Sequence, residues 1–271
     1  MSEKYAILAM PRSGSSWFLN CILKTNSLKC DGEFFNSLTN PSAEHKQKIA
    51  TGFGVGLELF SPRTDHIVID VSNIAVPSVL QETLLNEIFQ ETWKTTDLQI
   101  TKEVYAFHKV EFFEKKFTCF GFVKPLSETF PGSSKMTVLI FARIYGALLM
   151  QFSIQSKSIK LLLRSGLESA TSPMEKAIVG WIGAAHLLIS GLRSKSLPII
   201  DSSIICNESA ENSIRYLHEL LPASLYSLKF AEQIIETRKS TNKTIAPPMA
   251  EFAKKMLEGN SEVESSLTGL L

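Results

Sequence analysis

The sequence predicts an α/β fold in which helices flank both faces of a parallel β-sheet, and three observations support that prediction. Short apolar runs alternate with longer stretches that repeat apolar residues at helical spacing. Strands separated by helices need crossover connections, which produce parallel pairing. The chain of 271 residues is 44% apolar, enough for a sizeable core, and no low-complexity linker divides it. We therefore expect one domain over residues 1–271.

Each expected element follows from its local pattern. The predicted strands are short apolar or β-branched runs at residues 5–10, 67–71, 118–123, 159–164 and 197–201. The predicted helices cover residues 16–24, 78–94, 135–155, 172–194 and 210–220. A further helix begins near Met249, because Pro247 and Pro248 suit a helix start, and the polar tail after Gly259 is expected to fray.

Charge and cysteine content exclude several classes of protein. Lys and Arg number 28 against 27 Asp and Glu, so the net charge of +1 gives no overall field that would attract nucleic acid. The four cysteines form no CxxC pair and no cluster with histidines, which predicts reduced thiols and no bound metal. The apolar runs are too short for a signal peptide or a transmembrane segment. We expect a cytoplasmic protein, and the sequence leaves a homodimer open.

The most informative segment extends from Tyr5 to Trp17, where a strand ends in a Pro-Arg-Ser-Gly turn and a helix begins at once. The first turn of a helix has unpaired backbone N–H groups and the positive end of the helix dipole, so it suits a phosphate. A nucleoside triphosphatase would carry GxxxxGK[ST], but the first glycine is absent and Ser15 stands at the lysine position. Arg12 supplies the cation instead. We therefore expect a P-loop-type sheet, and the early cation suits a group as short as a 5′-phosphosulfate without a required metal.

The segment from Pro11 to Trp17, Pro-Arg-Ser-Gly-Ser-Ser-Trp, resembles the 5′-phosphosulfate loop of sulfotransferases that use 3′-phosphoadenosine-5′-phosphosulfate (PAPS). The resemblance implies an enzyme that moves the sulfuryl group of PAPS to a hydroxyl of a small acceptor and releases adenosine 3′,5′-bisphosphate. It also implies that the turn binds the donor, with the indole ring on adenine, through Arg12, Ser13, Gly14, Ser15, Ser16 and Trp17. The structural alternative is a Ser/Gly-rich turn whose tryptophan lies in the core.

The same family places an arginine at the end of a later strand, and a serine eight residues further on, around the 3′-phosphate. Arg164 closes the predicted strand 159–164 and Ser172 follows it, so the resemblance assigns both to the 3′-phosphate. The turn Ser165-Gly166 departs from the usual acidic or polar turn, which leaves Ser169 as a rival to Ser172. The basic segment 238–243 is a candidate to close over this phosphate, and a solvated loop fits its charge equally well.

An acceptor hydroxyl needs a base, because an alcohol is a weak nucleophile while it keeps its proton. Glu33, in the segment 30–36, resembles the base of bacterial sulfotransferases that act on carbohydrates, which are the relatives that the chain resembles most. His108 is the rival base, by resemblance to cytosolic relatives that act on phenols and steroids. Lys124 ends the predicted strand 118–123, matches a lysine of the bacterial relatives, and is expected near the bridging oxygen or the acceptor.

Residues 37–118 carry no motif that we can assign and are expected to form a helical region on the acceptor side. The acceptor is therefore not readable: Glu33 favours a carbohydrate, while a lipid or another small alcohol stays open. Two other functions also stay open. One is a P-loop-type nucleotide kinase, and the other is a non-catalytic nucleotide-binding protein that contacts partners.

Overall fold

A computed structural model of the chain describes residues 3–30, 99–104, 110–130, 135–150, 157–239 and 245–271. The strands within these residues are β1 (Tyr5–Ala9), β2 (Ile100–Glu103), β3 (Thr118–Val123) and β4 (Ile199–Asp201). The helices are α1 (Ser15–Thr25), α2 (Val110–Glu114), α3 (Leu126–Thr129), α4 (Lys135–Met150), α5 (Lys157–Ser169), α6 (Pro173–Ser194), α7 (Ser202–Asn207), α8 (Ala210–Leu220), α9 (Leu228–Thr237), α10 (Pro247–Leu257) and α11 (Ser261–Ser266).

The strands form one parallel sheet in the order β2-β1-β3-β4. Ile7 of β1 lies opposite Lys102 of β2 on one side and Phe120 of β3 on the other. Because all the pairings are parallel, the carboxyl ends of the four strands lie at the same edge of the sheet. That edge is where α/β proteins bind their ligands.

Helices cover both faces of this sheet, as strand β3 demonstrates. Phe120 and Phe122 point to one face, where their ring centroids lie 6.4 and 4.7 Å from that of Phe18 in α1. Gly121 points to the opposite face, where Leu192 of α6 leaves no room for a Cβ atom. The predicted fold class, a parallel α/β sheet flanked by helices, is therefore confirmed.

The longest helix, α6, packs along α4 so closely that glycines are required at the contact. A Cβ atom at Gly180 would collide with the carbonyl oxygen of Phe141 in α4, and one at Gly183 would lie 2.7 Å from Leu148. Helix α6 is long and apolar enough to cross a membrane by length and composition alone, but 72% of its most apolar window is buried inside the protein. Such burial is typical of the core helix of a globular protein.

The strand predicted at residues 159–164 is wrong, because these residues lie in α5. Ile159, Leu162, Leu163 and Gly166 are buried, which is one face of a helix, whereas Leu161 is 42% exposed. The short run of leucines fitted a strand and a buried helix equally well, and the helical spacing on either side decides between them.

The tail after Gly259 is not frayed as predicted. Asn260 caps α11, and Val263, Leu267 and Leu270 are buried at intervals of four and three residues. The backbone N–H of Leu126 donates to the carbonyl oxygen of Leu270 at 2.8 Å. Three apolar side chains spread over eight polar or small neighbours were too sparse to predict this docked helix.

Most of the other predicted elements agree with the described structure. The strands predicted at 5–10, 118–123 and 197–201 are β1, β3 and β4, and the predicted helices that the structure describes correspond to α1, α4, α6, α8 and α10. Helices α2, α3, α7 and α9 were not predicted. Strand β2 was missed, because Ile-Thr-Lys-Glu is short and polar. The predicted strand 67–71, the predicted helix 78–94 and most of the region 37–118 lie outside the described residues.

Candidate functional site

The turn between β1 and α1 has the geometry of an anion-binding turn. Arg12 has a φ of 63° and Gly14 a φ of 92°, so both adopt left-handed backbone, which costs a residue other than glycine about 1–2 kcal/mol. The N–H of Ser13 donates to the carbonyl oxygen of Met10 at 3.2 Å. Gly14 is the N-cap of α1, and no side chain of the described residues caps this end. The backbone N–H groups of the first turn therefore point outward without intrahelical acceptors.

A cavity of about 360 Å³ opens against this turn, at the carboxyl edge of the sheet. Its volume is in the range of small-molecule sites, about 300–1,000 Å³. The lining residues come from the β1–α1 turn, the chain just after β3, helix α7 and the end of α9: Arg12, Ser13, Gly14, Trp17, Lys124, Ser202, Cys206, Thr237 and Lys239. Lys124 thus lies directly after β3, where the sequence placed it.

Two buried hydroxyl groups in this cavity have no hydrogen-bond partner in the described part of the chain. Ser13 is 3% exposed and Ser202 is 4% exposed, and the Oγ atom of each is unpaired among the described residues. An unpaired buried hydroxyl costs about 1–3 kcal/mol. Two such unfavourable groups at one cavity indicate that a polar ligand fits there, because a ligand would supply the missing hydrogen-bond partners.

The cavity is electropositive. Three of its lining residues are cations, Arg12, Lys124 and Lys239, and none of its lining residues is acidic. Burial raises the pKa of Cys206, so this wall presents a neutral thiol instead of a thiolate. Burial also raises the pKa of Asp201, the N-cap of α7, whose Oδ1 accepts from the N–H of Ser203 at 2.8 Å.

Trp17 is partly buried and held by hydrogen bonds, so it is not simply a core residue. Its Nε1–H donates to Oγ1 of Thr237 at 3.0 Å, and that hydroxyl donates to the carbonyl oxygen of Gln233 at 2.6 Å. Trp17 lines the cavity and also a second groove of about 510 Å³, which is lined by Trp17, Asn20, Cys21, Leu23, Lys24, Gln233 and Thr237. Stacking of an adenine on this indole stays a prediction.

The two described residues of the basic segment 238–243 have different roles. Arg238 donates through Nη1 to the carbonyl oxygens of Ile205 and Glu208, at 2.9 and 3.0 Å, and to Oγ of Ser213 at 2.9 Å. It therefore holds the end of α7 in place. The next residue, Lys239, lines the cavity, and residues 240–243 lie outside the described part of the chain.

The structure does not bring Arg164 and Ser172 to this cavity, since neither lines it. Arg164 is exposed on α5, so it does not close a strand as the assignment to a 3′-phosphate required. Ser172 caps α6: its Oγ accepts from the N–H of Glu175 at 3.2 Å, and its own N–H donates to Oε2 of Glu175 at 2.7 Å. The bond from the Ser172 backbone is the main cause that lowers the pKa of Glu175 to about 2. Ser169, the rival serine, is the last residue of α5.

Of the residues that line the cavity, Ser202, Cys206 and Thr237 were missed by the sequence analysis. Ser202 has no motif of its own, although an Asp-Ser pair at the end of the predicted strand 197–201 was a usable signal, because strand ends meet at the binding edge. Lys102 lies in the unpredicted strand β2 and donates to Oγ of Ser16 at 2.7 Å. Both candidate bases, Glu33 and His108, lie outside the described residues.

Comparisons with known proteins add little to this geometry. No protein-family model and no curated protein matches the sequence. Among solved structures, the chain is similar to a sulfotransferase domain from the curacin biosynthetic pathway, with 15% identity and a TM-score of 0.41. The similarity covers 100% of this chain and 98% of that one. A likeness of this degree says nothing about activity, so a function must be argued from the residues of the cavity.

Proposed function

We propose that this chain is a sulfotransferase that transfers the sulfuryl group of PAPS to a hydroxyl of a small acceptor. The observation that supports it most is the cavity at the β1–α1 turn, where three cations and two unpaired buried hydroxyls surround an uncapped helix start. Backbone N–H groups, a guanidinium and hydroxyls are the donors that phosphate and sulfate oxygens need. The motif Pro-Arg-Ser-Gly-Ser-Ser-Trp lies in this turn.

In this proposal the turn binds the 5′-phosphosulfate. Arg12 and the first-turn N–H groups hold its peripheral oxygens, and Ser13 gains a partner for its unpaired hydroxyl. A bond forms from the acceptor oxygen to sulfur while the bond from sulfur to the bridging oxygen breaks, and the acceptor proton passes to a base. Negative charge develops on the bridging oxygen, and Arg12 and Lys124 stabilise it.

The base and the acceptor are proposed from the sequence alone. Glu33 is the first candidate base and His108 the second, and neither lies in the described residues. Through Glu33 a carbohydrate is the favoured acceptor, with a lipid alcohol or another small alcohol as the alternative.

We place the 3′-phosphate of the donor on the far side of the same cavity and no longer at Arg164 and Ser172, which do not line the cavity. Strand β3 is next to β1 and β4 is next to β3, and neighbouring strands lie about 4.8 Å apart. Ser202, directly after β4, therefore lies roughly 10 Å across the sheet from the β1–α1 turn. Lys124 lies between them along the sheet edge, and Lys239 completes the wall. Ser202 and Lys239 therefore supply an unpaired hydroxyl and a cation for the 3′-phosphate, while Lys124 stays with the bridging oxygen.

Calorimetric titration of the full chain with adenosine 3′,5′-bisphosphate, beside ATP with magnesium, tests the donor site. We expect the bisphosphate to bind and ATP to bind far more weakly, because the turn has Ser15 where a triphosphatase has lysine. Arg12→Met and Lys239→Met should each weaken bisphosphate binding about 10- to 100-fold, the loss expected for a charged hydrogen bond. Arg164→Met is the matched control and should bind as the unaltered chain does.

A transfer assay with sulfur-labelled PAPS and a panel of sugars and alcohols tests the chemistry. Transfer to any acceptor supports the enzyme, and Glu33→Gln should then keep bisphosphate binding while transfer falls. Bisphosphate binding without transfer to any acceptor would favour the non-catalytic nucleotide-binding protein. Preferential binding and turnover of ATP would favour the kinase and overturn the proposal.

A further inference from the structure

The side chain of Arg238 connects α7, α8 and α9 beside the cavity, although Arg238 itself does not line the cavity. Arg238 is the C-cap of α9. Its Nη1 donates to the carbonyl oxygens of Ile205 and Glu208 at the end of α7, and to Oγ of Ser213 in α8. The last carbonyl groups of a helix have no intrahelical donors, so a guanidinium that donates to them fixes the end of that helix.

Helix α7 forms one wall of the cavity through Ser202 and Cys206. The end of α7 has two attachments to other helices: Asn207 donates through Nδ2 to Oε1 of Glu128 in α3 at 2.8 Å, and Arg238 holds the last carbonyl groups. A helix of six residues has few internal hydrogen bonds, so it depends on such contacts for its position. The anchor at Arg238 therefore helps to set where this wall lies.

The position of Lys239 depends on the residues just before it. Helix α9 ends at Thr237, whose Oγ1 accepts from Trp17, and Arg238 continues in extended backbone with a φ of −63° and a ψ of 145°. Consecutive Cα atoms lie about 3.8 Å apart, so an anchor at Arg238 also fixes the backbone from which Lys239 reaches the cavity. The side chain of Lys239 is exposed, which makes its placement depend on this backbone.

We infer that Arg238 is a specificity-determining positioning residue, which makes the cavity select nucleotides with a 3′-phosphate by holding Ser202 and Lys239 in place. The inference rests on the proposed function, in which Ser202 and Lys239 bind that phosphate. The hydrogen bonds of Arg238 go to protein oxygens, so its effect on the ligand is indirect. Loss of this anchor should weaken only ligands that carry a 3′-phosphate, because the 5′-phosphate is assigned to the β1–α1 turn.

The test compares two ligands that differ only in the 3′-phosphate, adenosine 3′,5′-bisphosphate and adenosine 5′-monophosphate. Calorimetric titration of the full chain gives the ratio of their affinities. In Arg238→Met this ratio should fall about tenfold, the loss expected when one charged hydrogen bond is displaced, while the affinity for the monophosphate stays within about twofold. An unchanged ratio, or equal losses for both ligands, would overturn the inference.

A combined variant separates positioning from direct contact and from the charge of Arg238. In a chain that carries both Ser202→Ala and Lys239→Met, Arg238→Met should change the ratio by less than about twofold, because the groups that it positions are gone. A direct contact with the phosphate, or attraction through space, would persist in that chain. A further tenfold fall there would therefore contradict the indirect role.

Ser213→Ala tests the same anchor without a change of charge, and it serves as the second variant if Arg238→Met does not fold. It removes a hydroxyl that accepts from Arg238, so the ratio should fall about two- to fivefold. Arg215→Met removes an exposed arginine of α8, and Ser172→Ala removes the cap of α6; both should leave the ratio within about twofold of its original value. A tenfold fall in either control would show that lost charge or lost stability is sufficient, against the inference.

Labelling of Cys206 with N-ethylmaleimide, located by mass spectrometry, reports on α7 without any nucleotide. Arg238→Met should speed this labelling about tenfold, because a loosened α7 exposes the partly buried thiol. Loss of charge alone has the opposite sign: burial raises the pKa of Cys206 and the charges of Lys124 and Arg238 oppose that rise, so removing one leaves less thiolate. Slower or unchanged labelling would overturn the inference and leave the sulfotransferase proposal intact. Failure of the unaltered chain to bind either nucleotide would overturn the proposed function and the inference with it.

Discussion

The contact between α4 and α6 is tightly packed, whereas the edge of the sheet around the cavity is open and leaves polar groups unpaired. At the helix contact, glycines bring backbones together and little space is left, as at Gly180 against Phe141. At the sheet edge the protein keeps an open volume of about 360 Å³ and leaves the buried hydroxyls of Ser13 and Ser202 unpaired. Within the described residues only one other buried side-chain polar atom is unpaired, Nε1 of Trp181.

This difference assigns stability and binding to separate parts of the chain. Close packing gains dispersion and burial energy, so the helical layer stabilises the fold. Unpaired hydroxyls and the left-handed backbone of Arg12 lower stability and are useful only when a ligand is present. Variants on the two sides should therefore affect unfolding and binding differently.

Gly180→Ala should give the largest effect, on stability alone. The added methyl group collides with a backbone carbonyl that cannot rotate away, so we expect the free energy of unfolding to fall by about 3 kcal/mol. Urea denaturation measures it. Gly146→Ala in α4 is the matched control, because open space surrounds that position and alanine should stabilise the helix by about 0.5–1 kcal/mol. Equal losses in both variants would contradict the packing argument.

Two buried serines should respond in opposite directions. Ser202→Ala removes an unpaired hydroxyl, so the ligand-free protein should gain about 1 kcal/mol in unfolding free energy while bisphosphate binding weakens. Ser213→Ala should lose about 2 kcal/mol, because Oγ of Ser213 accepts from Arg238 and donates to backbone carbonyls nearby. Both changes are read by denaturation with and without ligand. A loss of stability in Ser202→Ala would show that its hydroxyl is already paired.

Ser172→Ala tests whether this serine belongs to the stable region or to the site. Loss of the cap of α6 should lower the free energy of unfolding by about 1 kcal/mol. The affinity for adenosine 3′,5′-bisphosphate should stay the same, since Ser172 does not line the cavity. Weaker nucleotide binding would instead restore the sequence-based assignment of Ser172 to the 3′-phosphate.

A smaller effect on the free energy of unfolding should come from lowering the pH, through the buried His186 of α6. Its Nδ1 lies 2.8 Å from Oγ of Ser266. Burial lowers the pKa of His186, and the negative charge of Glu262 offsets part of that decrease. The unfolded chain therefore takes up the proton first, and stability is full above about pH 6.5 and falls as the pH drops below it. Urea denaturation at pH 7.5 and 5.0 should show a smaller pH-dependent loss in His186→Gln. An equal loss in that variant would assign the dependence to other groups.

The sequence predicted what is local. The strand, turn and helix from Tyr5 to Trp17 follow from consecutive residues, so both the fold class and the shape of this turn were readable. Lys124 was placed correctly for the same reason, at the end of an apolar run. The turn at Ser202 was partly readable, because its strand was predicted even though its hydroxyl was not.

The sequence did not predict what depends on packing between distant residues. The sequence placed Arg164 on a strand because a run of leucines is compatible with a strand and with a buried helix. Only packing against the other helices decides between the two. Lys102 lies in a short polar strand that gives no periodic signal, and its bond to Ser16 joins residues far apart in the chain. The sequence named Lys239 only as part of the basic segment 238–243, and that this residue lines the cavity beside Thr237, which bonds Trp17, is visible only in the structure.

The hydrogen bond from Trp17 to Thr237 also affects when the cavity forms as the chain is synthesised and folds. The cavity needs residues from Arg12 to Lys239, so it brings together parts of the chain that are far apart in sequence, and such contacts form slowly. A nascent chain that has exposed β1 and α1 but not α9 presents a half-built turn without its opposite wall. Under the proposed function, nucleotide recognition would therefore appear only near the end of synthesis, and a chain cut before α9 would keep the motif and lose the wall of the cavity.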